Sequence, residues 1–148
     1  MKKFITLWVL LAPMLSLSAQ SEPLLSRIIS PGKPLFEDMD YVVQECLVYT
    51  DHVDQIKFNL ITFEHNEATF AIETDQNEVN QLAQKAKANE INFEYVSDYS
   101  AGVEYYVLFG EERIPLKMSG RYVGENLNSE AQLLIQKIDT VCGQDEAP

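Results

Sequence analysis

Two histidines, two cysteines, one tryptophan and six glycines among 148 residues leave most site chemistries short of material. In Asp51-His52-Val53-Asp54 two carboxylates flank an imidazole. On a helix these side chains fan around the axis instead of converging on one ion, so the run reads as a solvated helix end. His65, between Glu64 and Glu67, reads as a surface turn. The two cysteines have neither a CxxC spacing nor nearby histidines, which makes a poor redox or zinc site. The glycines are too scattered to cradle a phosphate, and the chain has no Walker loop, G-x-S-x-G elbow or H-E-x-x-H helix. Trp8 lies near the N-terminus, so a glycosidase would have no tryptophan in the body of the chain to stack a sugar. With 23 acidic residues a neighbouring carboxylate pair carries no information. The expectation is a protein that is not an enzyme and has no cofactor and no metal.

Basic residues are also scarce: 11 Lys and Arg stand against 23 Asp and Glu, a formal charge of −12. Such a field repels nucleic acid and anionic lipid and attracts a basic protein or a cation; solubility alone is the other reading. Long apolar runs are missing except for Phe4–Leu17. That run follows Lys2 and Lys3, precedes Leu17-Ser18-Ala19 and is interrupted by Pro13, which is the layout of a signal peptide over residues 1–19. It is short of the roughly 20 residues of a membrane span, and a retained N-terminal anchor is the alternative. No cysteine follows the cleavage site to carry a lipid. The expected location is a Gram-negative periplasm, with secretion second and no stable membrane insertion after cleavage. Loss of Lys2 and Lys3 takes the charge from −12 to −14. About 129 residues then remain, an ordinary single-domain size. In an oxidising compartment Cys46 and Cys142 have only each other, so a disulfide is expected, with two buried thiols as the alternative.

Residues 20–35 are Ser- and Pro-punctuated and read as an irregular lead-in to one domain over residues 36–143, with a frayed tail at 144–148. From Phe36 to Val53 the apolar residues Met39, Val42, Val43, Cys46, Tyr49 and Val53 recur at helical spacing, although the β-branched and aromatic content of Tyr41–Tyr49 also suits a strand. Alternation predicts strands at Ile56–Phe63 and Glu67–Thr74 around a Glu64-His65-Asn66 turn. Asp75 and Glu78 form a capping box for a helix to Asn89. Ile91, Phe93 and Tyr95 begin a further strand. Val103 to Met118 is a hairpin around Gly110-Glu111-Glu112, apolar on both parities of its first arm, which predicts inner strands. Ala131, Leu134, Ile135, Ile138, Val141 and Cys142 line a last helix, capped by Asn126 or Asn128 and ended by Gly143.

These elements predict an α+β domain: a five-stranded antiparallel sheet with helices on its faces, in the order α-β-β-α-β-β-β-α, and one disulfide. The element order is similar to profilin-like and PAS-like sensor folds. That resemblance implies a strand order of 2-1-5-4-3, with strands four and five inside the sheet. Tyr95, Tyr99, Tyr105, Tyr106 and Tyr122 gather around the central hairpin, interleaved with Glu94, Glu104, Glu111 and Glu112. Tyrosine beside carboxylate suits protein recognition, and Glu94, Glu104, Tyr105, Tyr106, Glu111 and Glu112 are the candidate partner-binding set. The function expected is a non-catalytic exported protein that binds and blocks a basic protein, such as an immunity protein against a periplasm-acting toxin or an inhibitor of a wall-degrading enzyme. The alternative is a periplasmic sensor or accessory subunit whose PAS-like sheet binds a small apolar ligand or stabilises a membrane regulator.

Overall fold

The computed structural model describes residues 21–32, 41–89, 91–98 and 101–143. The expected signal peptide, the start of the expected first helix, Tyr99 and the expected tail lie outside these residues. The described residues form one antiparallel sheet of eight strands and two helices, not the expected five-stranded α+β sheet of profilin or PAS type. The strands are β1 (Leu25–Ser30), β2 (Val42–Val48), β3 (His52–Asn59), β4 (His65–Ala71), β5 (Glu94–Tyr95), β6 (Gly102–Phe109), β7 (Glu112–Ser119) and β8 (Tyr122–Glu125). They run in the order β4-β3-β2-β1-β6-β7-β8-β5. Helix α1 spans Gln76–Lys87 and α2 spans Ser129–Cys142.

Two segments overturn the expected order. The stretch read as a lead-in contains β1, which pairs with β2 on one side and β6 on the other, at the middle of the sheet. The stretch read as the first helix is β2 followed by the start of β3. Its three- and four-residue spacing is the sum of two strand faces: Cys46 and Val48 point one way, Val43 and Leu47 the other. Apolar residues on both faces of a strand imitate a helical period over such short lengths. The turn before β4 is also displaced, to Leu60–Thr62, so His65 opens a strand instead of lying in the turn.

The central hairpin and the two later helices form as expected. β6 and β7 are inner strands, and both parities of β6 are buried, Val107 at 0% exposure and Leu108 at 8%. Gly110 turns the hairpin with φ 55°, a left-handed value that glycine adopts without cost. The Asp75 carboxylate accepts from the backbone N–H groups of Asn77 and Glu78 and caps α1. The Asn128 side chain caps α2 through the Ala131 N–H. Because α2 buries Ala131, Leu134, Ile135, Ile138 and Cys142 on one stripe, it lies flat on the sheet with α1 packed beside it.

Paired residues of neighbouring strands project from the same side, so the register sorts the sheet into rows. The row Val53-Val48-Leu25-Val107-Ile114 is buried under the helices. Leu116, at a bulge where β7 slips against Tyr105 and Tyr106, joins the same core. The next row on that face is Gln55-Cys46-Arg27-Tyr105. Cys46 bonds Cys142, with Cα atoms 6.0 Å apart, so the disulfide ties strand β2 to the end of α2 and not helix to helix.

Two stability predictions follow from this packing. Protein isolated without reductant should be lighter than the dithiol by one hydrogen pair, and Cys142→Ser should destabilise it by up to about 4 to 5 kcal/mol, because it opens a loop spanning 96 positions. Free thiols in fresh protein would contradict the pairing. Leu116→Ala should cost about 2 to 5 kcal/mol in urea unfolding, while Leu133→Ala on α2, where the side chain is 52% exposed, should stay within about 0.5 kcal/mol.

Candidate interaction surface

The face of the sheet turned away from the helices has a different composition. Its middle row reads Glu67-Ile56-Glu45-Ile28-Glu104-Met118 across six strands, each residue the registered partner of the next. Carboxylates and large apolar side chains therefore alternate along the hydrogen-bonding direction. Successive glutamates sit two strands apart, about 9 to 10 Å at ordinary strand spacing. That is close to a Debye length of about 10 Å at 0.1 M salt, so salt screens much of the repulsion between them. Glu45 and Glu67 have no ion-pair partner among the described residues. The adjoining row is Thr69-Asp54-Leu47-Ser26-Tyr106-Pro115. There Thr69 donates to Asp54 at 2.7 Å.

The strands' basic side chains mostly take the other face. Arg27 lies under the end of α2, where it donates to Asp139 at 3.2 Å and to the Cys142 carbonyl at 3.1 Å. This places a cation at the negative end of the helix dipole. Gln55 supplies a second, longer bond to the Cys142 carbonyl at 3.4 Å. Lys117 pairs with Glu125 at 3.5 Å. Arg113 is the arginine that shares the acidic face, and its guanidinium lies 5.8 Å from the centre of the Tyr106 ring.

The six residues singled out in the sequence are divided by this geometry. Tyr105 and Tyr106 are neighbours in the chain and therefore point to opposite faces. Tyr105 is buried under α2 and donates to Asp139 at 2.8 Å. Burial first, and the bond to Asp139 second, push its phenol up to about 12. Tyr106 lies on the acidic face and donates to Glu104 at 2.6 Å; burial and then Glu104 raise its phenol too. Glu104 and Tyr106 are thus brought together. Glu111 is exposed at the β6–β7 turn, and Glu112 takes an ion pair with Lys87 of α1 at 2.6 Å. Glu94 is exposed in β5, at the far edge of the sheet. The sequence reading missed Glu45, Glu67 and Asp54, because their shared face exists only once β2, β3 and β4 are placed beside β1.

His52 lies at the start of β3, not at a helix end. Its ring stacks on Tyr49 with centroids 4.1 Å apart. Asp51 meets Nδ1 at 2.6 Å, and Asp54 stands 3.8 Å from Nε2. Each ring nitrogen thus faces a carboxylate, and the hydrogen bond to His52 is the main cause that lowers the Asp51 carboxyl. Burial, then Asp54 and Glu67, raise the Tyr49 phenol. Among the described residues no group of side chains could hold a metal ion. No described helix is long and apolar enough to cross a membrane. A hollow of about 200 Å³ lies between Ala86, Ile91, Phe93, Ile114, Pro115 and Asn126, below the roughly 300 to 1,000 Å³ of small-molecule pockets.

The raised phenol of Tyr105 makes stability depend on alkaline pH. Between the ordinary value of 10.0 and about 12, the folded chain keeps a proton that the unfolded chain loses. The stabilisation is therefore complete below pH 10 and disappears as pH rises through that window. Urea unfolding across pH 9 to 12 should show a steeper loss for the wild type than for Tyr105→Phe; identical slopes would contradict the assignment.

No family model, curated protein or solved structure matches the chain.

Proposed function

We propose that this chain is an exported, non-catalytic protein that binds and blocks a basic protein, and that the helix-free face of the sheet is the seat. The observation that carries the reading is the row Glu67-Ile56-Glu45-Ile28-Glu104, where acidic and apolar side chains alternate on a rigid surface. The isoleucines and Tyr106 offer area to bury, and the carboxylates steer and select a cationic partner. The formal charge of −12 extends the same field beyond the contact. A partner that acts in the periplasm, such as a toxin or a wall-degrading enzyme, suits the signal-peptide layout of residues 1–19.

The test is to capture partners from a periplasmic extract at low salt and to measure association and dissociation of the purified partner by surface plasmon resonance. A basic protein is expected. Its association should slow as salt rises, since screening shortens from about 10 Å at 0.1 M to about 3 Å at 1 M. Glu45→Lys with Glu67→Lys should slow association about tenfold or more and leave dissociation nearly unchanged, because steering acts on encounter. Equal association by wild type and the double reversal would refute the seat, and recovery of a lipid or metabolite in place of a protein would refute the function.

A further inference from the structure

The β3–β4 turn gathers large apolar side chains in the open. Leu60, Ile61 and Phe63 are all exposed, Phe63 to 74%. A hairpin tip of this kind ordinarily carries polar residues and glycine. Here the polar work falls to Asn59. Its side-chain oxygen accepts from the N–H groups of Ile61 at 2.9 Å and Thr62 at 3.0 Å. Its backbone closes the hairpin with Glu64 at 2.9 Å and accepts from the Phe63 N–H at 2.9 Å. The Leu60 N–H donates to the Tyr41 carbonyl at 2.7 Å, and the Glu64 N–H donates to Thr62 Oγ1 at 3.4 Å. Every backbone N–H from Leu60 to Glu64 is therefore bonded, and none of these bonds uses an apolar side chain.

Phe63 is also held at φ 59°, in the left-handed region. A bulky residue rarely takes that conformation, which costs about 1 to 3 kcal/mol. Glycine would occupy it without the cost. The phenylalanine retained there is strained and mostly in water, and the ring contact that offsets this within the fold is with Phe58. Its ring meets the Phe58 ring edge-on, with centroids 6.3 Å apart. Phe58 pairs with Val43 and His65 and lies on the acidic face. The turn is thus continuous with the surface that carries Glu45 and Glu67, and Glu64 adjoins it.

We propose that the β3–β4 turn is a pre-formed anchor that inserts Phe63, with Leu60 and Ile61 beside it, into an apolar pocket rimmed by lysine or arginine on the partner protein. The inference rests on the reading of the acidic face as the seat of a basic protein. Charge decides between a protein pocket and a membrane: Glu64 at the turn and a net charge of −12 oppose approach to anionic lipid and favour a cationic rim. Rigid aromatic area that needs no ordering on binding is the usual material of an interface hot spot.

The experiment uses the full chain with p-benzoylphenylalanine in place of Phe63, irradiated in a periplasmic extract. The protein in the adduct is identified by mass spectrometry, produced pure and titrated against unlabelled variants. A basic protein is expected, bound at least about tenfold more weakly by Phe63→Gly than by wild type. Phe63→Gly should melt close to the wild-type temperature, because relief of the left-handed strain offsets the lost Phe58 contact. Wild-type affinity in Phe63→Gly would overturn the anchor, as would the absence of any protein adduct. Binding to equal mixtures of phosphatidylcholine and phosphatidylglycerol in vesicles, lost in Phe63→Gly, would overturn it in favour of a membrane. The two readings fail separately. Loss of binding in Glu45→Lys with Glu67→Lys but not in Phe63→Gly removes the anchor and keeps the seat; the opposite result keeps an apolar anchor and removes the seat.

Discussion

Everything else in this fold depends on β1 being zipped between β2 and β6. Without it the chain has two separate sheets, the meander β2-β3-β4 and the group β6-β7-β8-β5, with no ladder between them. β1 bonds both: Leu25 to Ile29 pair with Val48 to Gln44, and Leu25 to Ser30 pair with Val107 to Gly102. Its side chains match the two faces it joins. Leu25 completes the core row and is fully buried. Arg27 reaches the end of α2. Ser26, on the other face between Leu47 and Tyr106, is fully buried, and its hydroxyl has no hydrogen-bond partner among the described residues.

The composition of β1 is also why it was illegible. Leu-Ser-Arg-Ile-Ile-Ser shows no clean alternation, because an arginine takes a position on the covered face and serines take positions on the other. A half-buried arginine needs partners, and Asp139 and the Cys142 carbonyl are more than a hundred residues away in the chain. Nothing local signals them. The same blindness affected β2, whose two apolar faces summed to a helical spacing. It affected the β3–β4 turn, whose apolar residues hid the capping role of Asn59. By contrast α1, α2 and the β6–β7 hairpin carry their information locally, in a cap, a stripe and a glycine with positive φ, and were read correctly. The disulfide was legible as a pairing but not as a geometry: two cysteines allow one bond, whatever elements bear them.

For the candidate site the same split holds. Glu104 and Tyr106 are two residues apart in one strand and therefore share a face by the period of a strand alone. Tyr105 and Tyr106 could not both belong to one strand surface for the same reason. Glu45 and Glu67 are contributed by strands whose neighbours were unknown until β1 was placed. A surface assembled across six strands is a property of register, and register is a long-range quantity.

On the function proposed above, the two faces divide stability from recognition. On the helix side the core row, the disulfide and the Arg27-Asp139-Tyr105 cluster hold α2 to four strands, and their charges are neutralised within the fold. That cluster leaves the opposite face with little structural duty beyond buried Ser26 and the two-faced packing of β6. Carboxylates can then stand unpaired among isoleucines there, a composition that a folding core would not tolerate. β4 sits at the edge of this arrangement, exposed along its whole length. A strand so poorly buried adds little to the core. Its contribution is to extend the acidic row by Glu67 and to carry the Asn59-capped turn beside that row, which is how an edge strand with almost no burial can still shape the proposed binding surface.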